Sequence, residues 1–168
     1  MRLQVPVALR WSDMDAYGHV NNVELLRLLE EARIEAFWAH PAAAPGPAGA
    51  TERPAWPTAV LDAGPGAATA TLVARQEVEY LRPLGYRRTP VLVEMWIGHL
   101  GGASIDVCYE VHDGDPAATD AAGPYARAVT TLVLVDPAGG QPRRIGEVER
   151  TAWQPYVEAP PAFRRRAR

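Results

Sequence analysis

Leu3, Val5, Val7, Leu9 and Trp11 alternate with Gln4, Pro6, Ala8 and Arg10 at the start of the chain. Period two is the pattern of a strand with one buried face, and Pro6, which has no N–H for a ladder, places that strand at a sheet edge. The pattern then changes. Over residues 23–38, Leu25, Leu26, Leu28, Leu29, Ala32, Ala36 and Phe37 face a polar stripe of Glu24, Arg27, Glu31 and Glu35, which predicts a helix with a wide apolar face. Its start carries capping signals: Asn21 as N-cap, Glu24 three residues on as in a capping box, and Val20 placed to staple onto Leu25. Arg27 with Glu31 and Glu30 with Arg33 have the spacing of surface ion pairs, each worth ~0.2 to 0.5 kcal/mol.

From His40 to Pro57 the chain is Pro, Ala and Gly with almost no large apolar group, too little to offset its ordering entropy, so a mobile loop is expected. Beyond it, Thr58–Ala63, Thr69–Leu81, Val91–His99, Ala103–Asp113 and Tyr125–Asp136 alternate between Gly, Pro and Asp punctuation, which predicts an antiparallel meander. Val91, Val93, Met95 and Ile97 would face one side, as would Ile105, Val107, Tyr109 and Val111, with Gly101-Gly102 as a tight hairpin turn. The order implies an α+β layer architecture, a curved antiparallel sheet of five to six strands around one long helix. One domain is expected over 1–140, with a C-terminal extension or tail over 141–168. In that extension Arg143–Tyr156 forms a short helix or a surface tail, and Arg164–Arg166 a solvated end.

At 168 residues the chain can bury a core without disulfide or metal staples. A net charge of −3 leaves no electrostatic footprint for nucleic acid. All 17 basic residues are Arg, and the lack of Lys removes schemes built on a Schiff base, a P-loop lysine or a lysine general base. Cys108, the only cysteine, sits in an alternating run and reads as a small buried hydrophobe. No apolar stretch approaches the ~20 residues of a membrane span, and no secretory h-region opens the chain, so a cytoplasmic protein without a membrane partner is expected. His19, His40, His99 and His112 show no ligand spacing, and neither metal nor cofactor is expected.

The densest chemistry lies in Asp13-Met14-Asp15-Ala16-Tyr17-Gly18-His19-Val20-Asn21-Asn22-Val23-Glu24, between the first strand and the helix. Asp13, Asp15, Gly18 and Glu24 fall on positions one, three, six and twelve of an EF-hand loop, but Tyr17 stands where an oxygen ligand belongs and a strand precedes the loop instead of a helix. An aspartate-nucleophile phosphatase would call for a lysine the chain lacks. A third reading uses the helix start, whose first N–H groups lack acceptors and can receive a developing oxyanion. With Asn21 as the cap, the N–H of Asn22 or Val23 is the best donor, and Asp15 could approach the same carbonyl or a water beside it. Against this stands a plain turn in which Asp13 and Asp15 are turn-formers and Asn21 only a cap. The residues alone leave these last two open.

Arg10-Trp11-Ser12-Asp13-Met14-Asp15-Ala16-Tyr17-Gly18-His19-Val20-Asn21-Asn22, followed by Leu29-Glu30-Glu31-Ala32-Arg33, resembles the hotdog-fold acyl-CoA thioesterases of the 4-hydroxybenzoyl-CoA thioesterase type. Val78–Leu84 and Gly101–Ser104 are similar to further segments of that family, and the resemblance spans most of residues 3–136. It implies a hotdog fold, pairing of two domains with active sites at the interface, and hydrolysis of acyl-CoA or acyl-carrier-protein thioesters by a homodimer or tetramer. On this resemblance Asp15 is the catalytic aspartate, as general base or nucleophile, and the Asn22 N–H polarises the thioester. His19 is placed with them and Asn21 and Tyr17 on the substrate side, His19 and Asn21 shaping the turn; Arg82, Arg87 and Arg88 are candidates for coenzyme A phosphates. Leu25 replaces a frequent aromatic, and the loop at 40–57 is longer than usual. A noncatalytic acyl-CoA-binding protein and a hotdog hydratase or dehydratase remain as alternatives.

Overall fold

The computed structural model describes residues 1–39, 56–62, 64, 66–114 and 123–164. Alternation at the N-terminus becomes β1 (Leu3–Val7), with Leu3, Val5 and Val7 buried and the intervening residues exposed. A 3-10 turn (Trp11–Asp13) leads to helix α1 (Asn22–Phe37), and four strands follow: β2 (Ala70–Tyr80), β3 (Val91–Leu100), β4 (Ser104–His112) and β5 (Ala126–Val135). A short helix α2 (Glu147–Trp153) and a 3-10 turn (Gln154–Tyr156) come last. The five strands form one antiparallel sheet in the order β1-β3-β4-β5-β2. β1 is thus an edge strand, as Pro6 requires, and β2 is the opposite edge.

The side chains that alternation assigned to one face do share it. Val91, Val93, Met95 and Ile97 on β3 and Ile105, Val107, Tyr109 and Val111 on β4 are all buried in one core with Leu25, Leu28, Leu29, Ala32, Ala36 and Phe37 of α1. Burial of such side chains at roughly 1.5–3 kcal/mol each is what fixes the helix to the sheet. Within that layer Arg33 is buried, its Nη1 donating to Tyr109 Oη at 3.0 Å and its Nη2 reaching Glu30 at 3.2 Å. The Glu30–Arg33 pair is therefore not a surface pair: its acid is exposed and its base lies in the core. Arg27 and Glu31 do form a surface contact, at 4.0 Å.

Thr58–Ala63, expected as a strand, is not one over its described residues. Thr58 is buried and its Oγ1 donates to the Ala36 carbonyl at 2.5 Å, while Leu61 makes a single bridge to Trp38 and exchanges backbone hydrogen bonds with Phe37 and Ala39. The segment closes the C-terminal end of α1, so its polar backbone is satisfied there and not in the sheet. The expected loop at 40–57 lies outside the described residues apart from Trp56 and Pro57.

The stretch Arg143–Tyr156 contains α2, whose Trp153 is buried, donates Nε1–H to the Thr58 carbonyl at 3.0 Å and packs on Phe37 with ring centroids 6.0 Å apart. Beyond it the chain crosses the far face of the sheet. Val157 bridges Ile97, Trp96 Nε1 donates to the Ala159 carbonyl at 2.9 Å, and Arg127 Nη1 donates to that of Ala162 at 3.4 Å. Trp96 and Cys108, which point away from α1, are buried as a result. Burial pushes the Cys108 thiol up to about 12, so it is an inert hydrophobe. Arg164 ends the described chain with an exposed side chain, as expected; residues 165 and 166 lie outside the described residues. Among the described residues no helix is long and apolar enough to cross a membrane.

Candidate active site

The turn between β1 and α1 is built by two aspartates with different tasks. Asp13 is buried; its Oδ1 accepts from Arg10 Nε at 2.9 Å, its Oδ2 accepts from the Arg10 N–H at 2.7 Å, and its carbonyl accepts the N–H of Asn21 at 2.8 Å. It fastens the beginning of the turn to its end. A calcium loop is not compatible with this, since Asp13 faces a guanidinium and β1 stands where a helix would be needed.

Asp15 lies two residues on and is only partly covered. Its N–H donates to the His19 carbonyl at 2.7 Å, and its carbonyl accepts the Gly18 N–H at 3.1 Å. Gly18 turns the chain at φ +77°, a left-handed conformation that glycine adopts without a steric penalty. The carboxylate Oδ1 accepts the N–H of His19 at 3.0 Å and of Tyr17 at 2.8 Å. The His19 hydrogen bond outweighs the opposing effect of burial and, with the Tyr17 hydrogen bond and then the His19 charge adding to it, holds the Asp15 carboxyl below the usual carboxylate range. Among the described residues Oδ2 accepts no hydrogen bond and remains available for chemistry.

The turn is registered against the segment after β2. Val20 donates its N–H to the Leu84 carbonyl at 2.8 Å, and His19 bridges Gly85. Asn21 then caps α1: its Oδ1 accepts the Val23 N–H at 2.9 Å. That bond narrows the two candidate donors to one, because Val23 is occupied while the Asn22 N–H has no acceptor among the described residues. The expected capping box does not form. The Asn21 N–H is already given to Asp13, and Glu24 turns instead toward Arg10 and Arg27, at 3.8 and 3.7 Å.

Beside the cap lies a cleft of about 360 Å³, lined among others by His19, Val20, Leu25, Tyr80, Arg82 and Tyr125. Asp15 is not part of that lining; it sits on the turn whose His19 and Val20 are. Tyr80, which the sequence did not single out, donates its hydroxyl to the Asn22 carbonyl at 3.2 Å, steadying the peptide that follows the free N–H. Partial burial pushes its phenol up. The signal was its place in an alternating strand: Tyr80 stands opposite Ala126, as Val78 stands opposite Ala128.

The arginines divide. Arg82 Nη2 and Arg87 Nη1 both meet the Asp113 carboxylate, the first at 3.4 Å, and Arg87 Nη2 donates to Tyr125 Oη at 2.5 Å. The Arg82 guanidinium also lies 3.4 Å from the centre of the Tyr125 ring. These two are drawn inward, whereas Arg88 is exposed and Tyr17 projects into solvent. The structure therefore gathers Asp15, His19, Asn21 and Asn22 in one turn, brings Arg82 to the cleft wall, and leaves Tyr17, Arg87 and Arg88 outside the lining. Asp113 and Tyr125, distant in sequence from the turn, were not anticipated. A separate group, Glu94, Glu110 and His112, clusters on the far face of the sheet, but its two carboxylates are bound by Arg2 and Arg127.

Comparison with known proteins bears on the fold and the family. A predicted thioesterase from Bacillus stearothermophilus shares the fold with a TM-score of 0.67 at 20% identity, covering 96% of this chain and 100% of that one. A Pseudomonas aeruginosa protein does so with a TM-score of 0.68 at 19% identity, over 95% and 94% of the two chains. A thioesterase from Thermus thermophilus, solved in complex with coenzyme A and zinc, is 27% identical with a TM-score of 0.61, over 91% and 92%. No curated protein matches the sequence. The thioesterase-like superfamily matches residues 9–165, nearly the whole length, with both the Asp15 turn and the α1 cap inside the match, and the chain belongs to that superfamily.

Proposed function

We propose that this protein hydrolyses acyl thioesters, with coenzyme A as the principal thiol carrier. The observation that carries the reading is the pairing, within one turn, of a carboxylate with a free oxygen and a helix N–H without an acceptor. A thioester carbonyl placed between them has its oxygen on the Asn22 N–H, where the positive end of α1 favours negative charge. As general base, Asp15 Oδ2 takes a proton from water while the water oxygen attacks the carbonyl carbon; the tetrahedral intermediate then expels the thiolate, which is protonated on leaving. As nucleophile, the same oxygen attacks the carbon directly and the tetrahedral intermediate expels the thiolate, giving a mixed anhydride that water cleaves to the free acid and the Asp15 carboxylate. Both routes use one carboxylate and one donor. His19 acts through its backbone, fixing the carboxylate, and Asn21 by occupying Val23 so that Asn22 stays free.

The Thermus neighbour's complex with coenzyme A supports the choice of carrier. The fold is read as a hotdog, with residues 1–140 forming the thioesterase domain and 141–168 extending it, in a cytoplasmic protein. Two copies pair along β2, an edge strand whose Leu72 and Val73 are 55% and 48% exposed. β2 pairs with β5 on one side only, and the open outer edge of an eleven-residue strand is a template for another copy. The test is a panel of acyl-CoA and acyl-carrier-protein thioesters with thiol release as readout. Turnover of saturated acyl-CoA supports the reading; affinity without thiol release would mark a binding protein, and action confined to enoyl thioesters a hydratase.

A further inference from the structure

Trp11 is 76% exposed and Tyr86 42% exposed, yet the two rings meet edge to face, with centroids 5.3 Å apart and an interplanar angle of 83°. Neither belongs to the core. Both are tied to the active turn: Trp11 opens the 3-10 turn that ends at Asp13, and Tyr86 follows Gly85, which bridges His19. Arg88, two residues beyond Tyr86, is exposed and makes no ion pair among the described residues. Arg87, between them, points the other way, to Asp113 and Tyr125. Arg10, next to Trp11, is already matched by Asp13, Glu24 and Glu31, which leaves Arg88 as the exposed guanidinium beside the two rings.

We propose that Trp11, Tyr86 and Arg88 form the seat for the adenosine phosphate end of coenzyme A. The proposal rests on the reading of this protein as a coenzyme A thioesterase and names the part of the carrier it recognises. An exposed π-face accepts any purine by stacking, and a neighbouring guanidinium suits phosphate oxygens in geometry and charge. Trp11 lies four positions before Asp15, at most about 14 Å of backbone, a separation that a pantetheine arm can bridge. A carrier-protein thioester presents no base to such a platform, so it confers preference for free acyl-CoA.

The experiment uses the full chain and two thioesters with the same acyl group, acyl-CoA and acyl-pantetheine, together with adenosine 3′,5′-bisphosphate as a nonreactive probe. Trp96 and Trp153 are buried and Trp38 and Trp56 partly buried, so the quenching that the probe causes in the parent and that Trp11→Phe removes is the signal assigned to Trp11. The parent should bind the probe, and Trp11→Ala or Tyr86→Ala should lower its affinity and the preference for acyl-CoA over acyl-pantetheine by roughly 5- to 100-fold, the range of base stacking. Arg88→Ala should weaken the probe while leaving its adenosine analogue without phosphate unaffected. No probe binding by the parent, an unchanged substrate ratio in both aromatic variants, or a changed oligomeric state, which would make the pair a subunit contact, would each overturn the proposal. If the parent cleaves neither thioester the coenzyme A hydrolase reading fails, and the probe titration still decides whether the platform holds a nucleotide.

Discussion

The N–H of His19 donates to Asp15 Oδ1 at 3.0 Å while the carbonyl of His19 receives the N–H of Asp15 at 2.7 Å, so each residue holds the other's backbone and one holds the other's charge. The carboxyl is consequently depressed from its ordinary 3.8. A depressed folded-state pKa contributes stability above the unfolded value that is lost as pH falls through the folded one. On the proposed mechanism the same ionisation is expected to set the acid limb of activity. The kcat/KM profile should stay flat from neutral pH to below about 4, the ordinary aspartate value. An acid inflection near pH 6 would assign the catalytic ionisation to another group.

Asn21 holds the helix start by one side-chain bond, to Val23. Asn21→Ala should therefore lower stability by about 1 kcal/mol, and Asn21→Ser should recover most of it. Urea midpoints measure both. The alanine variant should also lose turnover beyond its stability loss, because Val23 then competes with Asn22 for the oxyanion; equal activity in all three would confine Asn21 to a structural cap.

The buried Arg33 depends on Tyr109 for a core acceptor. Its Nε has none among the described residues. Tyr109→Phe should destabilise the fold by roughly 1–3 kcal/mol, the cost of leaving a charged donor unsatisfied in a closed interior. A denaturant midpoint equal to the parent's would show that Arg33 finds another partner or water.

Pairing along β2 is tested by placing charge on its exposed side chains. Sedimentation should give a dimer or larger for the parent and a shift toward monomer for the double variant Leu72→Glu with Val73→Glu. A monomeric parent would remove the shared interface from the proposed function.

Periodicity made most of this architecture legible. α1 and the four later strands lie within one residue of their expected limits, because each buries a face that the alternation already marks, whereas β1 stops at Val7, four residues short of Trp11, where the 3-10 turn takes over. Thr58–Ala63 misled for a physical reason: the same apolar positions can be buried by capping a helix end, and sequence does not say which. Arg33 misled likewise, since i,i+3 spacing reveals a pair but not that one partner points inward. In the site, the Asp15 turn and the Asn21 cap were readable because their hydrogen bonds are local. Tyr80, Asp113 and Tyr125 were not, because they reach the turn or the cleft only after β2 and β5 come together in space. The residues alone left Asn22 and Val23 both open, with Asn22 favoured only by the family resemblance; the Asn21 amide oxygen on Val23 leaves the Asn22 N–H without an acceptor among the described residues.

The central claim is that the ionised Asp15 side chain drives thioester cleavage, and Asp15→Asn tests it most directly. The asparagine Oδ1 can accept the same two N–H groups from Tyr17 and His19, so the turn keeps its geometry while the charge and basicity disappear. With the fold verified by its denaturant midpoint, thiol release from the best acyl-CoA substrate should fall at least ~10²-fold, the scale of general base catalysis. A correctly folded Asp15→Asn protein that turns over at the parental rate would contradict the account.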